Sequence, residues 1–124
     1  MTASGPMLNK LPKRDRWHTV HRWLNIEFPC QGGRRPRLRV VKKMPAGCEQ
    51  CAGVWYPSSR IIYLAEKQSR SEGIYTLLHE HAHAYTGNAG WHDAEEPHGV
   101  FFDIMYGRIQ RRWLAGGDVE SLDC

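Results

Sequence analysis

The chain has 124 residues, 41% of them hydrophobic and 24% charged, with a net charge of +4, which suits one domain around a single modest core. It contains no apolar run long enough to cross a bilayer. Its first residues, "MTASGPMLNKLPKRDRW", lack the apolar centre of a secretory signal, so the expectation is an intracellular, cytoplasmic protein without a membrane role.

Residues 1–12, with Gly5, Pro6 and Pro12, read as a flexible lead-in to a domain spanning 13–115, and 116–124 as a flexible tail. From Lys13 to Phe28 the positions Trp17, Val20, His21, Leu24 and Phe28 recur at three and four, one face of a helix closed by Pro29. "QGGRRP" is a connector. "RLRVVKKM" then alternates as a strand, with Leu38 and Val40 on one side. "PAGCEQCAG" is turn chemistry, "GVWY" a second strand, "PSSR" another turn and "RIIYLA" a third strand. "EKQSRSEG" reads as a polar loop. A second helix is expected from Glu72 to Tyr85, packing through Ile74, Leu77, Leu78, Ala82 and Tyr85 and ending at Gly87. "NAGWHDAEE" is a loop, and a third helix starts at Pro97 and runs to about Leu114. Helix, three strands and two helices make an α+β arrangement, a small sheet backed by helices.

Charge is unevenly spread. Residues 1–43 hold 11 of the 17 Lys and Arg against two acids, Asp15 and Glu27, whereas the rest has 6 basic and 11 acidic residues. Arg34, Arg35, Arg37, Arg39, Lys42 and Lys43, with Trp17 and Trp23 nearby, are candidate contacts to a phosphate backbone, with DNA as the partner. The alternative is a solvated face balancing the acidic half.

The four cysteines are Cys30, Cys48, Cys51 and Cys124, and without a signal peptide no disulfide framework is expected. "CEQC" has the spacer of a zinc knuckle but no second pair. Cys30 and Cys124 could complete it, and the preferred reading is a tight turn carrying thiols.

The chemistry concentrates in "LLHEHAHAYTG", residues 77–87. On a helix, His79 and His83 share a face four residues apart and can offer imidazole nitrogens to one ion. Glu80 lies about 100° round from His79, where a base can take a proton from metal-activated water. This is an H-E-x-x-H pattern. His81, two residues from each of its neighbours, points to the opposite side and cannot share their metal. A catalytic zinc needs three protein ligands, and His92, Asp93, Glu95, Glu96, His98 and Asp103 are candidates for the third. His98 is favoured because it follows Pro97 in the first turn of a helix. Thr86 and Ala89 stand where a metzincin needs Gly and His, which excludes that class.

"HEHAHAY", with "HGVFF" opening after a spacer of fourteen residues from His83, resembles the SprT-like zinc metalloproteases, the family that includes Spartan. His98, Gly99 and Phe102 match that family's "HGxxF" turn, and "GVWYPSSRIIYLA" is similar to its strand pair. The match spans roughly residues 53–106. The resemblance implies a minimal zincin-like fold, zinc held by His79, His83 and His98, and Glu80 as general base. It also implies hydrolysis of a polypeptide lying along an edge strand, here "RIIYLA", and several relatives work on DNA-bound proteins. The cysteine-rich zinc module that often follows the catalytic domain in that family is not in the chain, and Cys48 and Cys51 precede the site.

The expected reaction is zinc-assisted amide hydrolysis, with Tyr85, His92 or Tyr106 as the candidate second oxyanion donor or cleft residue. Competing readings are a zinc-stabilised nucleic-acid or protein binding module with little turnover, and a small interaction protein without metal. A metallopeptidase like the ImmA/IrrE group is a third, with Glu95, Glu96 or Asp103 as its acidic ligand.

Overall fold

The computed structural model describes residues 11–30, 33–86 and 99–117. In chain order it has helix α1 (Lys13–Glu27), strands β1 (Arg37–Val41), β2 (Gly53–Tyr56) and β3 (Ile61–Ala65), and helices α2 (Arg70–Thr86) and α3 (Gly99–Arg112). A π turn, Trp113–Gly117, follows α3. The described residues are therefore α+β, three helices and one small three-stranded sheet. Among the described residues no helix is long and apolar enough to cross a membrane.

α1 buries Trp17, Val20, His21 and Leu24, the stripe its periodicity predicts, and Arg16 beside them. The Arg16 guanidinium lies over the Trp113 ring, 5.9 Å from its centroid. The helix stops where the Phe28 N–H bonds the Leu24 carbonyl at 2.8 Å, because Pro29 cannot extend it. Trp17 is fully buried and donates its indole N–H to the Arg70 carbonyl at 3.0 Å. Trp23 packs edge-on against Trp113, centroids 5.2 Å apart. Both tryptophans near the basic segment thus serve packing, Trp17 inside the core and the half-buried Trp23 against it.

The strand order is β1-β3-β2. β3 runs parallel to β1, Arg37 opposite Ile61 through Val41 opposite Ala65, and antiparallel to β2, Gly53 opposite Leu64 through Tyr56 opposite Ile61. "RIIYLA" is thus the central strand, not the substrate-bearing edge that the resemblance implied. Its one-sided pattern of Ile62 and Leu64, both fully buried, fits a strand paired on both sides. The edge nearest α2 is β2. Arg60, predicted as the first strand residue, instead closes the β2–β3 turn with φ 57°, its N–H bonding the Tyr56 carbonyl at 2.8 Å.

Val40, Trp55, Ile62 and Leu64 of the sheet's inner face meet Leu77, Leu78 and Ala82 of α2 and Phe102 and Ile109 of α3 in one core. α2 starts two residues before the predicted position because "SRSE" is a capping box. The Ser69 hydroxyl accepts from the Glu72 N–H at 3.1 Å and the Glu72 carboxylate accepts from the Ser69 N–H at 3.0 Å. Gly73 follows in the first turn of α2, against helix propensity. A Cβ there would sit 2.1 Å from Trp17 indole carbons, so the glycine is what lets α1 and α2 touch. Gly87 and Pro97, the predicted helix boundaries, lie outside the described residues.

Among the described residues no zinc knuckle is assembled. Cys48 and Cys51 lie in the turn before β2, as the preferred reading had it, but they are joined as a disulfide, Cα atoms 5.2 Å apart. The expectation of free thiols there is corrected: a two-residue spacer in a tight turn brings the two sulfurs together. Cys30 is a buried free thiol whose pKa burial pushes up. Cys124 lies outside the described residues.

Candidate metal centre

α2 carries the site. His79 and His83, one turn apart, have ring centroids 5.0 Å apart at 73°. Two imidazoles on one tetrahedral zinc, with Zn–N of about 2.0–2.1 Å, place their ring centres about 5 Å apart, so this pair fits a shared ion. α3 walls the pair: the Phe102 ring lies 5.0 Å from His79 and 4.3 Å from His83, and the Tyr106 ring 5.3 Å from His79. An apolar ring over two imidazoles limits water and fixes their orientation, which favours a defined ligand geometry.

Glu80 is only 8% exposed, and burial pushes its carboxyl up to about 7. It opens into a cavity of about 370 Å3 with His79, Tyr106, Tyr75, Thr76 and Gly53. At neutral pH such a carboxyl can both take and return a proton, the property a general acid–base group needs. Gly53, the first residue of β2, makes this possible. A Cβ on it would lie 2.6 Å from the Thr76 methyl and 3.3 Å from Glu80 Cγ. The edge strand therefore passes close beside the carboxylate, with one row of its backbone groups facing away from β3.

The same helix turns His81 the other way. It is fully buried, its Nε2 lies 2.8 Å from the Phe28 carbonyl, and burial lowers its pKa to about 4. It is therefore neutral, donates through Nε2, and ties the end of α1 to α2. Helical geometry alone separates it from the pair.

Of the other candidates, Tyr106 joins the site. Its hydroxyl is held protonated, chiefly by burial and then by Tyr75 and Glu80, so it can donate a hydrogen bond. Tyr85 does not join it. That ring packs edge-on against Phe28, 6.4 Å away, on the side of His81, because two residues past His83 the helix has turned away from the cleft. Tyr75 and Thr76 were not anticipated, although each stands four residues before His79 or Glu80 and so shares its face.

Asp103 on α3 is exposed, and among the described residues no group of three His, Cys, Asp or Glu side chains is arranged around a metal. α3 presents Phe102 to the imidazoles, whereas its neighbour Asp103 faces solvent. His98, with His92, Asp93, Glu95 and Glu96, lies outside the described residues.

The basic segment divides. Arg34, Arg35, Arg37 and Arg39 are exposed along β1 and its lead-in, with Arg37 and Arg39 alternating against buried Val40. Lys42 and Lys43 instead line a second cavity beyond the sheet, with Lys67.

No family model, curated protein or solved structure matches the chain.

Proposed function

We propose that the protein is a zinc-dependent metallopeptidase of the H-E-x-x-H type with a minimal zincin-like fold. The observation that carries this reading is the grouping of a buried, proton-ready Glu80 with paired His79 and His83 imidazoles at one cavity beside an edge strand. A purely structural zinc has no use for a carboxyl of that kind beside its ligands.

His79, His83 and His98 would hold the ion. The assignment of His98 rests on the SprT-like "HGxxF" turn. It is supported by the next positions of that turn, since Gly99 opens α3 and Phe102 touches both imidazoles. Zinc so bound supplies Lewis acidity, acidifying water and polarising the scissile carbonyl. The chain's own groups do the rest. Glu80 takes the proton of the attacking water at its carboxylate and returns it to the leaving amine. Tyr106 donates its hydroxyl hydrogen to the oxyanion. The free edge of β2 pairs with the backbone of an extended substrate and holds it beside Glu80. The His79 and His83 rings are held in orientation under Phe102.

The test uses wild type, Glu80→Gln and His98→Ala, with bound zinc and cleavage of an unstructured polypeptide as readouts. The reading expects full zinc and lost cleavage in Glu80→Gln, and reduced zinc in His98→Ala. Unchanged zinc and cleavage in His98→Ala would sink the ligand set, and absence of cleavage by wild type would leave the binding module.

The DNA part of the proposal is confined to Arg34, Arg35, Arg37 and Arg39. Their uniform exposure along one edge suits phosphate contacts. Binding should weaken steeply with salt, losing about one unit of slope per arginine removed.

A further inference from the structure

Three cavities meet at the start of β2. The one holding Glu80, His79 and Tyr106 shares Ala52, Tyr75 and Thr76 with a second of about 480 Å3 that continues over Ser71 and Glu72. That second cavity shares Ala52 and Gln68 with a third of about 410 Å3, lined by Lys42, Lys43 and Lys67. The three are one trough. All three share Ala52, so the lysines lie at one end of it, with the carboxyl and the N-terminal half of α2 on the other side of that residue.

Its floor is fixed. The Gln68 amide donates to the Ala52 carbonyl at 3.0 Å and the Ala65 carbonyl at 2.8 Å, and its oxygen accepts from the Thr76 hydroxyl at 3.1 Å. The Lys13 ammonium donates to the Glu66 and Gln68 carbonyls at 2.7 and 2.9 Å. The β3–α2 loop is thereby clamped, so the cationic end keeps its place relative to Glu80.

Lys42, Lys43 and Lys67 are exposed, and the only ion pair among the described residues, Arg112 with Glu27, involves none of them. The one acid on the same cavity wall is Glu49, whose carboxylate accepts from the Gly47 N–H at 3.2 Å. Positive charge is therefore in excess there.

We infer that this trough selects polypeptides carrying acidic side chains to one side of the cleaved bond, read by Lys42, Lys43 and Lys67. This rests on the peptidase reading for the place of the cleaved bond, whereas acidic-peptide binding does not need cleavage.

The experiment separates the two. Fluorescent peptides of one unstructured sequence carry four Glu, or four Gln, on either side of a central segment. Binding is measured by anisotropy to Glu80→Gln protein with the lysines intact, and to the same protein with Lys42→Glu, Lys43→Glu and Lys67→Glu. The Glu peptides should bind about tenfold tighter than the Gln peptides when the acids lie on one side only. That preference should shrink at high salt and vanish or reverse in the triple variant. Wild-type cleavage of the same peptides is the second arm. Equal binding of Glu and Gln peptides overturns the inference and leaves the peptidase standing. Selective binding with no cleavage by wild type keeps the inference and removes the peptidase. A single-stranded oligonucleotide that displaces the peptide at lower concentration than polyglutamate, and loses this in the triple variant, assigns the lysines to phosphates and overturns the inference.

Discussion

The two sides of α2 put the same residue type to opposite uses. On one side His79 and His83 stand 5.0 Å apart at the cavity that holds Glu80. On the other, His81 is sealed in the core with its Nε2 on the Phe28 carbonyl. Burial acts on both sides and does different work. It raises Glu80 to about 7, leaving a carboxyl that can carry a proton, and lowers His81 to about 4, leaving an imidazole that cannot. Five consecutive residues thus hold the face proposed to be reactive and a structural face, and each substitution below should damage one and spare the other.

The largest effect is expected from Glu80→Gln, which keeps shape and removes the base. Cleavage should fall by roughly 10²–10⁴-fold with zinc content unchanged, read by metal analysis and peptide turnover on the same sample. His79→Ala or His83→Ala should instead strip the zinc. His81→Ala is the contrast. It should leave zinc bound but lower unfolding free energy by about 2–4 kcal/mol, since it opens a void and orphans the Phe28 carbonyl. Loss of zinc in His81→Ala without loss of stability would erase the distinction between the faces.

Much of this was legible in the sequence because helical spacing is a strong signal. The stripe Trp17, Val20, His21 and Leu24, the split of His81 from its neighbours, and the pairing of His79 with His83 all follow from it. What escaped depends on contacts between segments distant in sequence. Nothing local in "RIIYLA" says that β1 will pair on its far side and make it central. Nothing in Tyr85 says that it will face Phe28, whereas Tyr106 will face Glu80. The early start of α2 was missed for a different reason: Ser69 and Glu72 spell a capping box, but the polar run around them reads as loop unless the reciprocal bonds are looked for.

Two glycines allow the comparison to be sharpened with one substitution at each. Gly73→Ala on the structural face drives a methyl into the Trp17 ring, and helix propensity gained cannot offset it. A loss of about 1–3 kcal/mol is expected, with zinc and cleavage kept in the folded fraction. Gly53→Ala on the reactive face meets the Thr76 and Glu80 side chains, which can shift. Stability should change less, and kcat/KM should drop because Glu80 moves. Tyr106→Phe should lower kcat on the order of 10²-fold if its hydroxyl serves the oxyanion, with zinc and stability unchanged.

The smallest effect is the one in which the faces oppose each other. In metal-free protein, His81 has a folded pKa of about 4 against about 6.5 unfolded. The unfolded chain then binds more protons between those values, so this contribution is full above pH 6.5 and lost as pH falls. Glu80 runs the other way. Its folded value of about 7 exceeds the unfolded value of about 4.3, so it penalises the fold as pH rises from about 4.3 towards 7. Each is worth about 2 kcal/mol between pH 5 and 7, and wild type should be nearly flat across that window. Glu80→Gln leaves the His81 slope uncovered, and denaturant unfolding should find it about 2 kcal/mol less stable at pH 5 than at pH 7. His81→Phe should show the reverse, more stable at pH 5. Burial also lowers His21, held on the Pro36 carbonyl, which tilts the wild-type balance towards loss at low pH. Parallel slopes in both variants would mean that the two groups do not titrate from opposite sides of the helix.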